Sequence, residues 1–329
     1  MVVEARAFTE ADAEAWDALV SAGAASTLLQ TRRFLSYHGD RFQDASVCVT
    51  DGDGRLVGVL PAAVDLAAAD RVVSHPGSTY GGLVHDGALR GEGMLEALTA
   101  VSAHLAGRGF AVLEYKPLPW IYQARPEQDD LYALFRLGAQ RSRVDLSCAV
   151  DLDSEAKPSS RRRRGRKKAE KAGVTVQSGT EHAGRVWDVL EQTLAARHDA
   201  APVHSLDEIR LLGERFPEEI EFLVGELDGA AVAGVVLFHS GRVSHAQYIS
   251  STPDGNQVGA LDAVFGHAIE AAREAGRRFF DFGTSNRERG LVLNASLYEY
   301  KAQYGGGGVA YEAYELPLSS TGAGTSSSL

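Results

Sequence analysis

The chain has 329 residues with 33 Lys and Arg against 44 Asp and Glu, a formal charge of −11. That length suggests two domains of ordinary size, and 44% hydrophobic residues exclude a disordered chain. Two cysteines, Cys48 and Cys148, exclude a disulfide framework and a thiolate metal cluster, and point to a reducing compartment.

Read in chain order, the first half alternates helix and strand. Ala11 to Ala22 and Arg32 to His38 have helical periodicity, and the strands Ala45 to Thr50 and Leu56 to Val64 flank an Asp51-Gly-Asp-Gly54 turn. A helix from Gly91 to Ala106 stops at Gly107 and is followed by the strand Phe110 to Tyr115. Leu131 to Leu137 is helical, and Arg143 to Leu152 alternates as a strand. The acidic average conceals one exception. Arg161 to Lys171 carries eight positive residues and one negative, +7, which leaves −18 for the remainder. Pro158-Ser159-Ser160 enters this segment and Ala172-Gly173 ends it, which predicts a basic helix over 159–172 near a domain boundary.

The second half continues with helices Val186 to Ala196 and Leu206 to Arg215. A strand meander follows over Ile220 to Leu227, Ala231 to His239 and Arg242 to Ile249. A long helix, Val258 to Ala275, then leads into the strand Phe279 to Phe282. The class is mixed α/β. The two halves repeat one order of elements: an Asp-Gly turn, a strand, Val-Ser-His, a glycine-bearing loop, a helix and a strand, which indicates duplication of one unit. The expected division is 1–155 and 156–318, with a Ser/Gly/Thr tail over 319–329 expected to be disordered. The acidic start has no leader-like apolar core and no run approaches the ~20 residues of a membrane span, so a cytoplasmic protein is expected.

Candidate site residues cluster in the second half. His245 and Gln247 are expected on one face of their strand with Tyr248 on the other, and Asp281 ends the neighbouring strand before a turn exposing Ser285. The glycines of the loop Ser251 to Ala260 open a helix, a setting that suits a phosphate or carboxylate. Arg197, His198 and His204 form a polar loop cluster around Pro202. Asn294 and Lys301 share a helix face, and Tyr80 lies in the first half's own glycine loop, Gly77 to Gly82. Each has a structural alternative: a hydrogen-bonded core histidine, a turn-capping aspartate, a solvated lysine.

Together these residues resemble the FemAB-like branch of the GNAT acyltransferases. The match lies in Lys167-Lys168-Ala169-Glu170-Lys171-Ala172-Gly173, in Asp281-Phe282-Gly283 at a strand end, and in Lys301-Ala-Gln-Tyr304-Gly305. The resemblance implies two tandem GNAT-like domains and transfer of an acyl or aminoacyl group to a small amine acceptor, in the best-known members from aminoacyl-tRNA. It implies a binding or catalytic role for Lys301 and acceptor contacts at Arg197. The helical-hairpin insertion of the family is missing, and the loop near Gly255 lacks the Arg/Gln-x-x-Gly-x-Gly/Ala spacing of enzymes that use coenzyme A.

The resulting expectation is direct attack by the amine, with His245 or Asp281 taking its proton. Lys301, Tyr248 or main-chain N–H groups would stabilise the oxyanion. No metal or tightly bound cofactor is expected, and the acyl donor is a co-substrate. Arg161, Arg162, Arg163, Arg164, Arg166, Lys167 and Lys168 are expected to contact aminoacyl-tRNA or an acidic acyl-carrier protein. The alternatives are an N-acyltransferase using acyl-coenzyme A or a carrier thioester, and a non-catalytic module that binds RNA or a protein partner.

Overall fold

The computed structural model describes residues 2–198 and 202–318, except for the side chains of residues 196–198. The tail over 319–329 lies outside the described residues. The chain divides into two compact units, Met1–Asp145 with Ala310–Leu329, and Leu146–Val309. Sequence reading expects the boundary near 155. It falls earlier, inside the strand Gln140–Asp151, because the end of that strand pairs with Phe279–Thr284 of the second unit, and most of the last strand belongs to the first unit.

In the first unit β1 (Val3–Ala7), α1 (Ala13–Ala22), α2 (Arg32–Leu35), β2 (Val47–Asp51) and β3 (Leu56–Leu60) precede β4 (Ala63–Val64). Then follow β5 (Arg71–Val73), β6 (Val84–His85), α3 (Glu92–Gly107), β7 (Val112–Tyr115), α4 (Asp129–Arg136) and β8 (Gln140–Asp151). The expected strand Leu56 to Val64 is two short strands, since Pro61 removes a ladder donor between them. β1, β2, β3 and β6 make one antiparallel sheet, whereas β4 pairs with β5, and β5 runs parallel to β7. α3 buries Met94, Leu98, Val101 and Leu105 in a core shared with Val47, Val49, Leu60 and Leu113.

The second unit continues through α5 (Ser160–Ala172), β9 (Thr175–Ser178), α6 (Ala183–His198), α7 (Leu206–Arg215), β10 (Ile220–Leu227), β11 (Ala230–Ser240) and β12 (Val243–Ser251). After these come α8 (Pro253–Val258), α9 (Ala260–Glu274), β13 (Phe279–Thr284), β14 (Asn286–Arg287), β15 (Val292–Leu293), α10 (Ala295–Ala302) and β16 (Gly307–Pro317). The final strand antiparallel to β7 is β16, with Tyr314 opposite Tyr115. The basic helix forms where its end signals place it. Ser159 Oγ accepts from Arg162 N, and Gly173 closes the helix in the left-handed conformation at φ 84°. The expected helix Val258 to Ala275 breaks at Gly259, whose φ of 82° ends α8 and begins α9.

β9, β10, β11 and β12 form an antiparallel meander, β12 and β13 are parallel, and β13 is antiparallel to β8. α9 covers one face of this sheet: Val264, Phe265, Ala268 and Ala272 pack on Val235, Leu237, Ala246, Phe280 and Phe282. α6 covers the other, where a Cβ on Gly234 would stand 3.0 Å from Val186, and Trp187 meets Tyr248 edge-on at 5.1 Å. Among the described residues no helix is long and apolar enough to cross a membrane.

Candidate active site

The parallel pairing of β12 with β13 runs from Val243 opposite Phe279 to His245 opposite Asp281, and stops there. Both strands turn irregular at that level. The β12–β11 register slips so that Ala246 faces Leu237 and Tyr248 faces Val236, while β13 slips against β8 between Asp281 and Thr284. Gln247 is thus the extra residue of a β-bulge, and a bulge reverses side-chain parity beyond it. Because Phe238 and Val236 are two apart on β11, their partners His245 and Tyr248 lie on the same face. This corrects the alternation expected from sequence, which put them on opposite faces. Their shared face is the α6 side, away from α9.

Parallel register brings His245 and Asp281 side by side. Nδ1 of His245 is 2.7 Å from Oδ2 of Asp281, whose carboxylate is fully buried. The other oxygen, Oδ1, accepts from Ser147 Oγ at 2.5 Å and Gly283 N at 3.2 Å. A carboxylate so placed holds the proton on Nδ1 and leaves Nε2 as the imidazole's acceptor. Gly283 has φ 74°, a conformation that favours glycine, and a Cβ there would come within 3.3 Å of His245 Cε1, a tight contact with the ring. The sequence signals Ser147 by alternation on β8 alone, which does not distinguish a serine aimed at Asp281 from any other inward serine.

Lys301, on α10, is buried. Its Nζ donates to the carbonyl oxygens of Gly283 at 2.9 Å and Thr284 at 2.7 Å, so it is not the solvated lysine of the structural alternative. Burial pulls its pKa down to about 8, against the attraction of Asp281. The main chain from Asp281 to Ser285 therefore passes between His245 and Lys301. Ser285 is buried with its Oγ unpartnered among the described residues. Cys148 is buried, and its thiol is pushed up to about 12, which suits an inert side chain.

Other expected site residues have structural duties. Asn294 caps α10: its Oδ1 accepts from Leu297 N at 3.2 Å and Ser296 Oγ at 2.9 Å, so it stands at the helix start and not on the helix face it was expected to share with Lys301. Tyr248 is hydrogen-bonded through its hydroxyl to His204 Nδ1, and burial pushes its pKa to about 12. Arg197 and His198 end α6, and their side chains lie outside the described residues. Tyr80 is buried in the first unit, its ring 5.0 Å from that of Tyr122 and 6.4 Å from that of Tyr311.

The basic helix divides into two faces. Arg162, Arg166 and Ala169 turn toward α9, while Arg161, Arg164, Lys167 and Lys168 are exposed. Arg162 Nη1 donates to Asp262 Oδ1 at 2.9 Å, Tyr304 Oη donates to the same oxygen at 2.7 Å, and Arg166 pairs with Glu270 at 2.6 Å. Two of the residues expected to meet a donor are thus committed to the protein itself. α9 begins at Gly259, and a Cβ on it would be 2.8 Å from Gly165 O; one on Gly165 would be 1.8 Å from Asp262 Oδ2. The start of α9, which sequence suggests as an anion site, is consequently covered by α5 and holds the carboxylate of Asp262.

The first unit contains a second buried lysine of similar kind. β5 and β7 pair in parallel up to Val73 and Glu114, and Lys116 Nζ then donates to His75 O at 2.7 Å and Ser78 O at 2.5 Å. Burial brings its pKa down to about 8 and that of the His75 ring to about 3. Val73-Ser74-His75 matches Val243-Ser244-His245, but among the described residues His245 has a carboxylate in hydrogen-bond contact, whereas His75 feels Asp44 only at longer range.

A meander, a parallel strand pair that parts at a bulge, and a helix between those strands make up a GNAT-type fold. Residues 157–302 match the family model described as an acetyltransferase (GNAT) domain, and the fold is that of tandem GNAT proteins. FemX is similar with 13% identity and a TM-score of 0.70, over 96% of this chain and 97% of that one. L-PGS from Bacillus licheniformis has 13% identity and a TM-score of 0.60, over 92% and 90%. A tandem GNAT protein of the clavulanic acid biosynthesis pathway has 14% identity and a TM-score of 0.54, over 97% and 99%. No curated protein sequence matches the chain.

Proposed function

We propose that this acyltransferase forms an amide by moving an aminoacyl group from aminoacyl-tRNA to a small amine. The amine nitrogen attacks the ester carbonyl carbon, His245 Nε2 takes the amine proton, and the ester C–O bond breaks as the tRNA ribose oxygen leaves and takes that proton from the His245 imidazolium. Asp281 keeps Nδ1–H in place and stabilises the imidazolium as it forms. Lys301 has three protons, of which two are spent on the carbonyls of Gly283 and Thr284, and the third serves the developing oxyanion.

The observation that carries the choice of donor is α5. It covers the start of α9, where a pyrophosphate would find main-chain N–H groups, and it turns Arg161, Arg164, Lys167 and Lys168 outward as a cationic stripe. A free nucleotide thioester loses its anchor, whereas a polyanion gains one. Against a remainder of −18, this helix is the densest positive segment for such a contact. The test is amide formation with charged tRNA, acetyl-coenzyme A and an acyl-carrier thioester supplied in parallel. Product from charged tRNA alone is expected. Product from either thioester alone would replace this reading with an N-acyltransferase, and binding of tRNA with no product from any donor would favour a non-catalytic RNA-binding module.

A further inference from the structure

Behind the basic helix lies a cavity of about 240 Å³, between α5 and α9 on the sheet face opposite His245. That volume is more than ten times what one water needs. Its charged lining is Arg162, Arg163, Arg166 and Arg273 against Asp262 and Glu270, a net +2. Arg162 and Arg166 are matched by the two carboxylates. Arg163 and Arg273 donate to main-chain oxygens, those of Pro158 and Leu152, and neither forms a carboxylate ion pair within 4 Å among the described residues, although Arg273 lies close enough to Glu270 to attract it. Arg162 is buried and its Nε is without a hydrogen-bond partner, a donor left over after Nη1 has met Asp262. Val150 and Ile269 supply an apolar wall.

We propose that this cavity binds a small organic phosphate monoester, with the phosphate among the guanidinium groups and the ester's carbon portion against Val150 and Ile269. A dianion neutralises the +2 excess, and a guanidinium offers paired donors that match phosphate oxygens. The apolar wall favours an ester over the inorganic ion. The site does not depend on the donor proposed above, because the helix face that would meet RNA points the other way.

The test uses phenyl phosphate and inorganic phosphate as probes, titrated calorimetrically into the full chain. One saturable site for phenyl phosphate is expected, at least about tenfold tighter than for inorganic phosphate. Arg163→Gln with Arg273→Gln should weaken it by about tenfold or more, and Glu270→Gln, which raises the excess charge, should tighten it by about threefold. Arg164→Gln with Lys168→Gln, on the exposed face, should leave it unchanged while weakening tRNA. The Glu270→Gln arm keeps the proposal testable if the double arginine variant fails to fold. Absence of saturable binding, no preference for the ester, or affinity that follows Arg164 and Lys168 would overturn it. Loss of tRNA transfer alone would bear only on the donor.

Discussion

Nδ1 of His245 lies 2.7 Å from the buried carboxylate of Asp281, and Ser147 fixes that carboxylate from its other side. The chain Ser147–Asp281–His245 presents Nε2 as a base only while residue 281 is an acceptor. Asp281→Asn offers an amide that can accept through one atom only, and its NH2 group favours the opposite tautomer. Turnover is expected to fall by ~100-fold or more, with a smaller change in KM. Ser147→Ala removes one donor and should cost less, about tenfold. Steady-state amide formation measures both, and wild-type turnover in Asp281→Asn would remove His245 as the base.

Lys301 makes a distinct prediction about pH. Its folded pKa, about 8, lies below the ordinary lysine value. Between the two values the unfolded chain holds a proton that the folded chain has released, so stability rises with pH across that window. The cost of burying the cation is fully present below about pH 8. Lys301→Met should flatten this rise by about 3 kcal/mol between pH 8 and 10.5 in urea unfolding. Lys116, also at about 8, titrates alike in both proteins and cancels in the comparison. Equal slopes would mean that Lys301 is hydrated in the fold.

Periodicity shows most elements of the second unit, because Ile220–Leu227 and Leu206–Arg215 are bounded by turn and cap residues that act locally. It misplaces Tyr248, since a bulge arises from strand pairing, and Gln247 has no feature of its own to signal it. The basic run is legible as a helix and as charge. Its division into an inward face at Arg162 and Arg166 and an outward one at Arg164 and Lys168 depends on Asp262 and Glu270, about a hundred residues away. Duplication of Val-Ser-His can be read directly, but which copy offers a candidate base turns on Asp281 against Lys116, a difference that register alone brings next to each histidine.

Close approach of α5 to α9 requires glycine at 165. A Cβ there would stand 1.8 Å from Asp262 Oδ2, and Asp262 cannot swing aside without abandoning Arg162 and Tyr304. Gly165→Ala should therefore destabilise the second unit by about 3 kcal/mol, comparable with leaving a buried ion pair broken. Asp262→Ala should cost a similar amount by stranding Arg162. Denaturant midpoints of the two variants check this, and a midpoint unchanged in Gly165→Ala would show that α5 moves freely on α9.

If the exposed face of α5 meets RNA phosphates, the contact is electrostatic and must weaken with salt. Each phosphate neutralised contributes roughly 0.7–0.9 to the slope of log K against log salt. Arg164→Gln with Lys168→Gln removes two such charges and should lower the slope by about 1.5, with a matching loss of affinity at low salt. Arg166→Gln should leave the slope nearly as it was, because Arg166 is already spent on Glu270 at 2.6 Å. Filter binding of tRNA across a salt series separates the two. A slope that responds to Arg166 and ignores Arg164 and Lys168 would place the polyanion elsewhere on the protein, and with it the case for tRNA as donor would lose its main physical support.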